Sequence, residues 1–68
     1  MIQNEAQLQQ ALEQIENLCL ALQSLRVKVF LKNPRNFAIL AEGPLDEIRK
    51  LQADVDGYIT RLEQVAAV

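Results

Sequence analysis

The sequence predicts an all-α protein: an antiparallel hairpin of two helices that pairs with a second copy as a four-helix bundle. Apolar residues recur every three or four positions in both halves of the chain, Asn33-Pro34 separates the halves, and 50% of the 68 residues are hydrophobic. We expect one domain over residues 1–68, with helices at about 4–32 and about 35–66 and the turn at about 33–34.

The first helix is predicted to begin at Asn4, because Asn4 and Gln7 have the spacing of a capping box. No Pro or Gly follows until Asn33, and the apolar positions alternate between steps of four and three. The predicted stripe is Leu8, Leu12, Ile15, Cys19 and Leu22, widened on one side by Ala11, Leu18 and Leu25. The alternating residues Arg26 to Lys32 also permit a β-strand, although no partner strand is predicted nearby.

The second helix is predicted to begin after Asn33, a good cap, with Pro34 at its first position. Its stripe is Phe37, Ala41, Pro44, Ile48, Leu51, Val55, Tyr58, Leu62 and Val65, and the phase is unbroken across Gly43-Pro44. Because Pro44 has no amide to donate, two alternatives stay open: one kinked helix, or a break at Gly43-Pro44 that starts a separate helix. In the folded hairpin, we expect Leu12 to face Val55, Cys19 to face Ile48 and Leu8 to face Ile59.

More apolar residues are present than one hairpin can cover. Those off the two stripes are Leu20, Val27, Phe30, Leu31, Ile39, Leu40, Leu45, Ile59 and Ala66. Left in water, they would form a larger apolar surface than a small monomer normally exposes. We therefore expect a homodimer, with Leu18, Leu20, Leu22, Leu25, Val29 and Phe37 near its core.

No catalytic, cofactor or metal site is predicted, and we expect that the protein is not an enzyme. The chain has no histidine, the commonest general base, and its single cysteine, Cys19, is interpreted as a small core residue. Asp54 and Asp56 would point apart on a helix. No apolar run is long enough to span a bilayer, and a lone thiol without an export signal predicts a cytoplasmic protein.

Four of the seven basic residues, Arg26, Lys28, Lys32 and Arg35, lie at the predicted tip of the hairpin. They either complement the dipole at the end of the first helix or dock an anionic partner, such as an acidic protein or a phosphate backbone. A membrane-surface role for residues 18–32 is a third alternative. Because the net charge is −2, direct binding of nucleic acid is not favoured.

The opening MIQNEAQLQQALEQIENL resembles the N-terminal helical arm of Xre-type bacterial regulators, including antitoxins of the host-inhibition class. LDEIRKLQADVDGYI is similar to their second helix, and the matching residues are Met1, Ile2, Asn4, Glu5 and Tyr58. In that family a helix-turn-helix domain follows the arm, and we expect none here. The resemblance implies a bacterial interaction module of a transcription-regulatory or toxin–antitoxin system, with a regulator or toxin as partner. The alternative is a stand-alone structural or adaptor coiled-coil protein.

Overall fold

A computed structural model describes the backbone of residues 1–66 and the side chains of residues 1–65. Two α-helices, α1 (Glu5–Leu25) and α2 (Pro34–Ala66), are joined by a π-helical segment, Arg26–Phe30, and a short turn. The helices pack against each other as a hairpin, and the described residues contain no strand. The predicted all-α hairpin is confirmed, and the alternative of a strand at 26–32 is wrong.

The start of α1 follows from its first polar residues. The Asn4 side-chain oxygen accepts a hydrogen bond from the Gln7 backbone N–H at 2.9 Å. The Gln7 side-chain oxygen in turn accepts from the Gln3 N–H at 2.8 Å. The predicted capping box is confirmed with one difference, because Gln7 reaches the N–H one residue before the cap instead of that of Asn4 itself.

The π-helical segment adds Phe30 to the residues that contact α2 at the tip. Hydrogen bonds in a π-helix join residues five apart, so Phe30 turns partly toward the face of Leu25, while Val29 stays half-buried on the stripe. This rotation brings the Phe30 ring to Phe37, edge to face, with centroids 5.3 Å apart. Phe30 therefore contacts α2, although the periodicity placed it off the stripe. The side chains of the π-helical segment point in directions that a straight α-helix would not give them.

The turn and the start of α2 are held by short-range hydrogen bonds. The Val29 carbonyl accepts from the N–H groups of Lys32 and Asn33 at 3.1 and 2.8 Å. The Asn33 side chain then caps α2 by accepting from the Asn36 N–H at 3.1 Å, and Pro34 is the first helical residue. The helix runs through Pro44 without interruption, so the alternative of a break at Gly43-Pro44 is wrong.

The stripe of α2 that faces α1 agrees with the prediction from Phe37 to Tyr58, and these positions are buried or half-buried. Leu62 and Val65 are exposed. Both lie at the open end, where the chain opposite them precedes the start of α1 and offers no helix to pack on.

The stripe of α1 requires a correction. The buried and half-buried residues are Leu8, Ala11, Ile15, Leu18, Leu22, Leu25 and Val29. Leu12 is 49% exposed and Cys19 is exposed, so neither faces Val55 or Ile48 from the stripe as predicted, and Cys19 is not a core residue. The series through Leu18 stays apolar over its whole length, whereas the series through Leu12 and Cys19 meets Arg26 at its next step.

The core of the single hairpin is thin. Its buried hydrophobic residues are Ile2, Ala11, Ala41 and Ile48, and no described side chain is fully buried. At the open end, the Arg61 guanidinium donates a hydrogen bond to the Ile2 carbonyl and lies 5.6 Å from the centre of the Tyr58 ring. The hydrogen bond and the burial of Ile2 hold the segment before α1 against the last turns of α2.

Candidate interaction surface

The seven-residue repeat defines two sides of the hairpin. Two antiparallel helices that face each other are related by a local two-fold axis perpendicular to the plane of the hairpin. The residue directly after Leu18 in α1 therefore lies on the same side of that plane as the residue directly after Pro44 in α2. The residues directly before Ile15 and Ile48 lie on the opposite side.

One side of the hairpin is apolar along most of its length. It carries Leu12 and Cys19 from α1 and Leu45 and Ile59 from α2, and we call this side of the hairpin the apolar side. Glu5 and Arg26 lie at the ends of its row on α1, and Gln52 lies at the centre of its row on α2. Leu45 and Ile59 are 37% and 43% exposed, so each presents much of its side chain to water. Buried neighbours anchor the same stretches of helix, because Ala11 and Ile48 are 6% and 8% exposed.

The opposite side, the polar side, has a different composition. It carries Gln7, Gln14, Ala21, Lys28, Leu40, Glu47 and Asp54, and Leu40 is its one large apolar residue. This difference between the two sides is the asymmetry expected of a hairpin that packs one side against another protein surface and keeps the other in water.

The predicted basic residues are brought together at the tip. Arg26 and Lys28 lie in the π-helical segment, Lys32 lies in the turn, and Arg35 lies in the first turn of α2. All four are exposed, and none forms an ion pair with a carboxylate among residues 1–65. The tip therefore carries four charges that the hairpin itself does not neutralise, and both interpretations of these cations stay predictions.

The predicted dimer-core residues divide into two groups. Leu18, Leu22, Leu25, Val29 and Phe37 are half-buried between the two segments of one hairpin. Leu20 is 56% exposed and points away from α2. Near the tip, Val27, Leu31 and Ile39 are also exposed.

A shallow depression of about 610 Å³ lies on the outer face of α2. It is lined by Glu42, Gly43, Leu45, Asp46 and Arg49. Asp46 also pairs with Lys50 at 3.6 Å across one helical turn, on an exposed surface where such a pair contributes little. The depression borders the apolar side at Leu45.

Within the described residues, no cluster of three or more histidine, cysteine or acidic side chains is placed to hold a metal ion. In the same part of the chain, no helix combines the length and the apolar character needed to cross a bilayer. Comparisons with protein-family models, curated proteins and solved structures find no match to this chain. The resemblance to Xre-type regulators therefore stays a prediction.

The periodicity alone does not reveal the apolar side, because it places Leu12 and Cys19 on the stripe that faces α2. The signal that separates Leu12 and Cys19 from the true stripe is how far each set of regularly spaced positions stays apolar. The stripe through Ala11 and Leu18 continues to Val29, whereas the series through Leu12 is bounded by Glu5 and Arg26. Charged residues at both ends of a short apolar series are typical of the flank of a helix that meets a second surface.

Proposed function

We propose that this chain is a small helical self-association module whose hairpins pair as a homodimeric four-helix bundle. The observation that carries the proposal is the surface that the single hairpin leaves uncovered. Its accessible surface is 5376 Å². A compact monomer of 7.7 kDa would expose about 4,300 Å².

The shape of the hairpin accounts for this excess of about 1,000 Å². Its extents are 54 × 18 × 16 Å, and its radius of gyration is 15.5 Å. A compact chain of this length would have a radius of gyration of about 11 Å. The excess is similar to the roughly 800 Å² that each partner buries in a standard interface. Pairing with a second hairpin would give each copy the core that it lacks.

Sedimentation equilibrium from low to high micromolar concentration tests the proposal. We expect a mass of twice 7.7 kDa at the upper concentrations, with helical content and thermal stability that rise together with protein concentration. A folded species that stays at the monomer mass over the whole range would contradict self-association.

We also propose that the module belongs to a transcription-regulatory or toxin–antitoxin system, with a regulator or a toxin as its partner. The support is the sequence resemblance, carried by residues that build the hairpin: Ile2 is buried, Asn4 caps α1 and Tyr58 lies on the stripe of α2. Co-expression with the product of the adjacent gene tests this link. Co-elution of a toxin or a regulator in fixed ratio would support it, and a structural assembly component in its place would favour the adaptor alternative.

A further inference from the structure

Resting on the proposed self-association, we infer that two copies pair through the apolar side with the tip of each hairpin against the open end of the other. In this arrangement α1 lies on α1 of the second copy and α2 lies on α2. The two-fold axis passes through the middle of the apolar side. The inference rests on the order of residues along the two rows that form this side.

The row on α1 is self-complementary when it is reversed. At steps of seven residues it reads Glu5, Leu12, Cys19 and Arg26, which is acidic, apolar, apolar and basic. All four are exposed in the single hairpin. Against a reversed copy, Glu5 meets Arg26 of the second copy and Leu12 meets its Cys19. Every apolar residue of this row then has an apolar neighbour, and both end charges are paired.

The row on α2 has the same property. It reads Leu45, Gln52 and Ile59, with the polar residue at its centre. Against a reversed copy, Leu45 meets Ile59 of the second copy and Gln52 meets its own equivalent, where two side-chain amides donate and accept in turn. A polar pair at one central position fixes the register of such a bundle.

The centres of the two rows lie at nearly the same height, measured along the long axis of the hairpin. One two-fold axis can therefore relate both rows to their copies. The centre of the α1 row lies between Ile15 and Glu16. The ring contact of Phe30 with Phe37 sets the register between the helices near the tip, and counting residues along both helices from this contact places Gln52 within about half a helical turn of this height.

The charges of the whole hairpin favour the same orientation. Four unneutralised cations lie at the tip: Arg26, Lys28, Lys32 and Arg35. Toward the open end, the charged residues are mostly acidic: Glu5, Glu13, Asp54, Asp56 and Glu63, with Arg61 as the exception. Pairing with both tips at the same end would bring like charges together at each end, whereas the reversed pairing brings each basic tip to an acidic end.

Disulfide trapping of the Leu12→Cys variant, which keeps Cys19, tests the arrangement. Residues 12 and 19 are about 10 Å apart on one helix and cannot bridge within a chain. We expect mild oxidation to convert most of the variant to a covalent dimer joined between positions 12 and 19. The wild type should cross-link slowly, because its two Cys19 residues lie about 10 Å apart along the paired helices.

Gln14→Cys, which also keeps Cys19, is the matched control, because Gln14 lies on the polar side of the same helix. Cross-linking of Leu12→Cys no faster than this control would overturn the inference. So would a 19-to-45 bridge found by peptide mass mapping in the covalent dimer of Leu45→Cys, because Cys19 is level with position 45 and a bridge between chains there requires α1 on α2 of the second copy. Sedimentation of the reduced wild type separates the two proposals: a monomer contradicts self-association, and a dimer without the 12–19 bridge contradicts only this arrangement.

Charge reversal at the ends of the α1 row gives an independent readout. Glu5→Arg and Arg26→Glu should each raise the dimer dissociation constant by about three- to tenfold, because each creates two like-charge contacts across the interface. The double variant should return to near the wild-type value, and the salt dependence of the single variants should differ from that of the wild type. A double variant that is no tighter than the weaker single variant would show that these residues do not meet.

Discussion

Two asparagines at the helix starts show how single side chains fix the geometry of this hairpin. Asn4 and Asn33 each accept a hydrogen bond from the backbone N–H three residues further on. Asn4 caps a helix that begins at the open end, whereas Asn33 both ends the turn and starts α2. Loss of the second cap therefore frees the connection between the helices as well as one helix end.

Asn33→Ala is expected to lower the free energy of unfolding by about 1 kcal/mol, the usual loss for an asparagine cap. Asn36→Ala is the matched control, because Asn36 contributes its backbone N–H, which alanine keeps. Urea unfolding followed by far-UV circular dichroism measures both. Equal stability of Asn33→Ala and the wild type would contradict a capping role for the side chain.

The two glycines of α2 differ in the residue that follows them. Apart from the adjacent residues and the backbone of the same helix, a Cβ atom at Gly57 or Gly43 would have no heavy atom within 4 Å, and neither residue has a positive φ. Gly57→Ala is therefore expected to raise the free energy of unfolding by about 0.5–1 kcal/mol through helix propensity alone. Gly43→Ala should raise the free energy of unfolding by less, because Gly43 precedes Pro44 and a Cβ atom there crowds the proline ring. An equal gain at both positions in thermal unfolding would contradict this account.

Among the elements, α2 is unusual because it continues through a proline. Pro44 cannot donate to the Leu40 carbonyl, yet the helix extends from Pro34 to Ala66. Its half-buried ring lies on the stripe that faces α1, in phase with Ala41 and Ile48. Packing of this stripe along α1 therefore maintains the helix at a position where its own backbone hydrogen bonding is interrupted.

Pro44→Ala is expected to raise the free energy of unfolding by about 1–2 kcal/mol. An interior proline costs a helix about 3 kcal/mol relative to alanine, and the variant restores the donor to Leu40. This gain is partly offset because the variant loses buried methylene groups of the proline ring, each of which contributes about 0.8 kcal/mol. Denaturant unfolding at fixed protein concentration measures the change. A destabilised variant would show that the ring contributes more to packing than its partial burial indicates.

The sequence predicted two helices, the turn, both caps and the stripe of α2 from Phe37 to Tyr58, because each follows from a local pattern. Asn33-Pro34 marks a turn in almost any context, whereas the unbroken phase across Gly43-Pro44 was compatible with one helix without excluding a break. The rotation of α1 was not predictable in the same way, because the steps through Leu12 and those through Ala11 both satisfy the repeat. The π-helical segment was missed because RVKVF carries no local signal for the extra residue in its turn.

At the scale of the whole molecule, the hairpin combines an elongated shape with segregated charges and one apolar side. The described part has a basic tip and an acidic open end, although the net charge of the chain is only −2. Separation of charge along a 54 Å rod orients a partner more than it attracts one. In the proposed dimer, the apolar side supplies the affinity, and the order of charges along it sets the direction of the second copy.

Replacing a leucine by glutamate on each side of the hairpin tests which side supplies that affinity. Leu45 on the apolar side is 37% exposed, and Leu40 on the polar side is 50% exposed. Both belong to α2, so the two changes have the same cost in helix propensity. Leu45→Glu should raise the dimer dissociation constant at least about tenfold, because in the proposed arrangement it places a carboxylate against Ile59 of the second copy. Leu40→Glu should leave the dissociation constant within about threefold of the wild-type value, because its carboxylate stays in water.

Sedimentation measures both dissociation constants, and circular dichroism confirms that each variant stays helical. If only Leu40→Glu dissociates the dimer, the interface lies on the polar side. An equal effect of the two changes would show that neither side is specifically required for pairing.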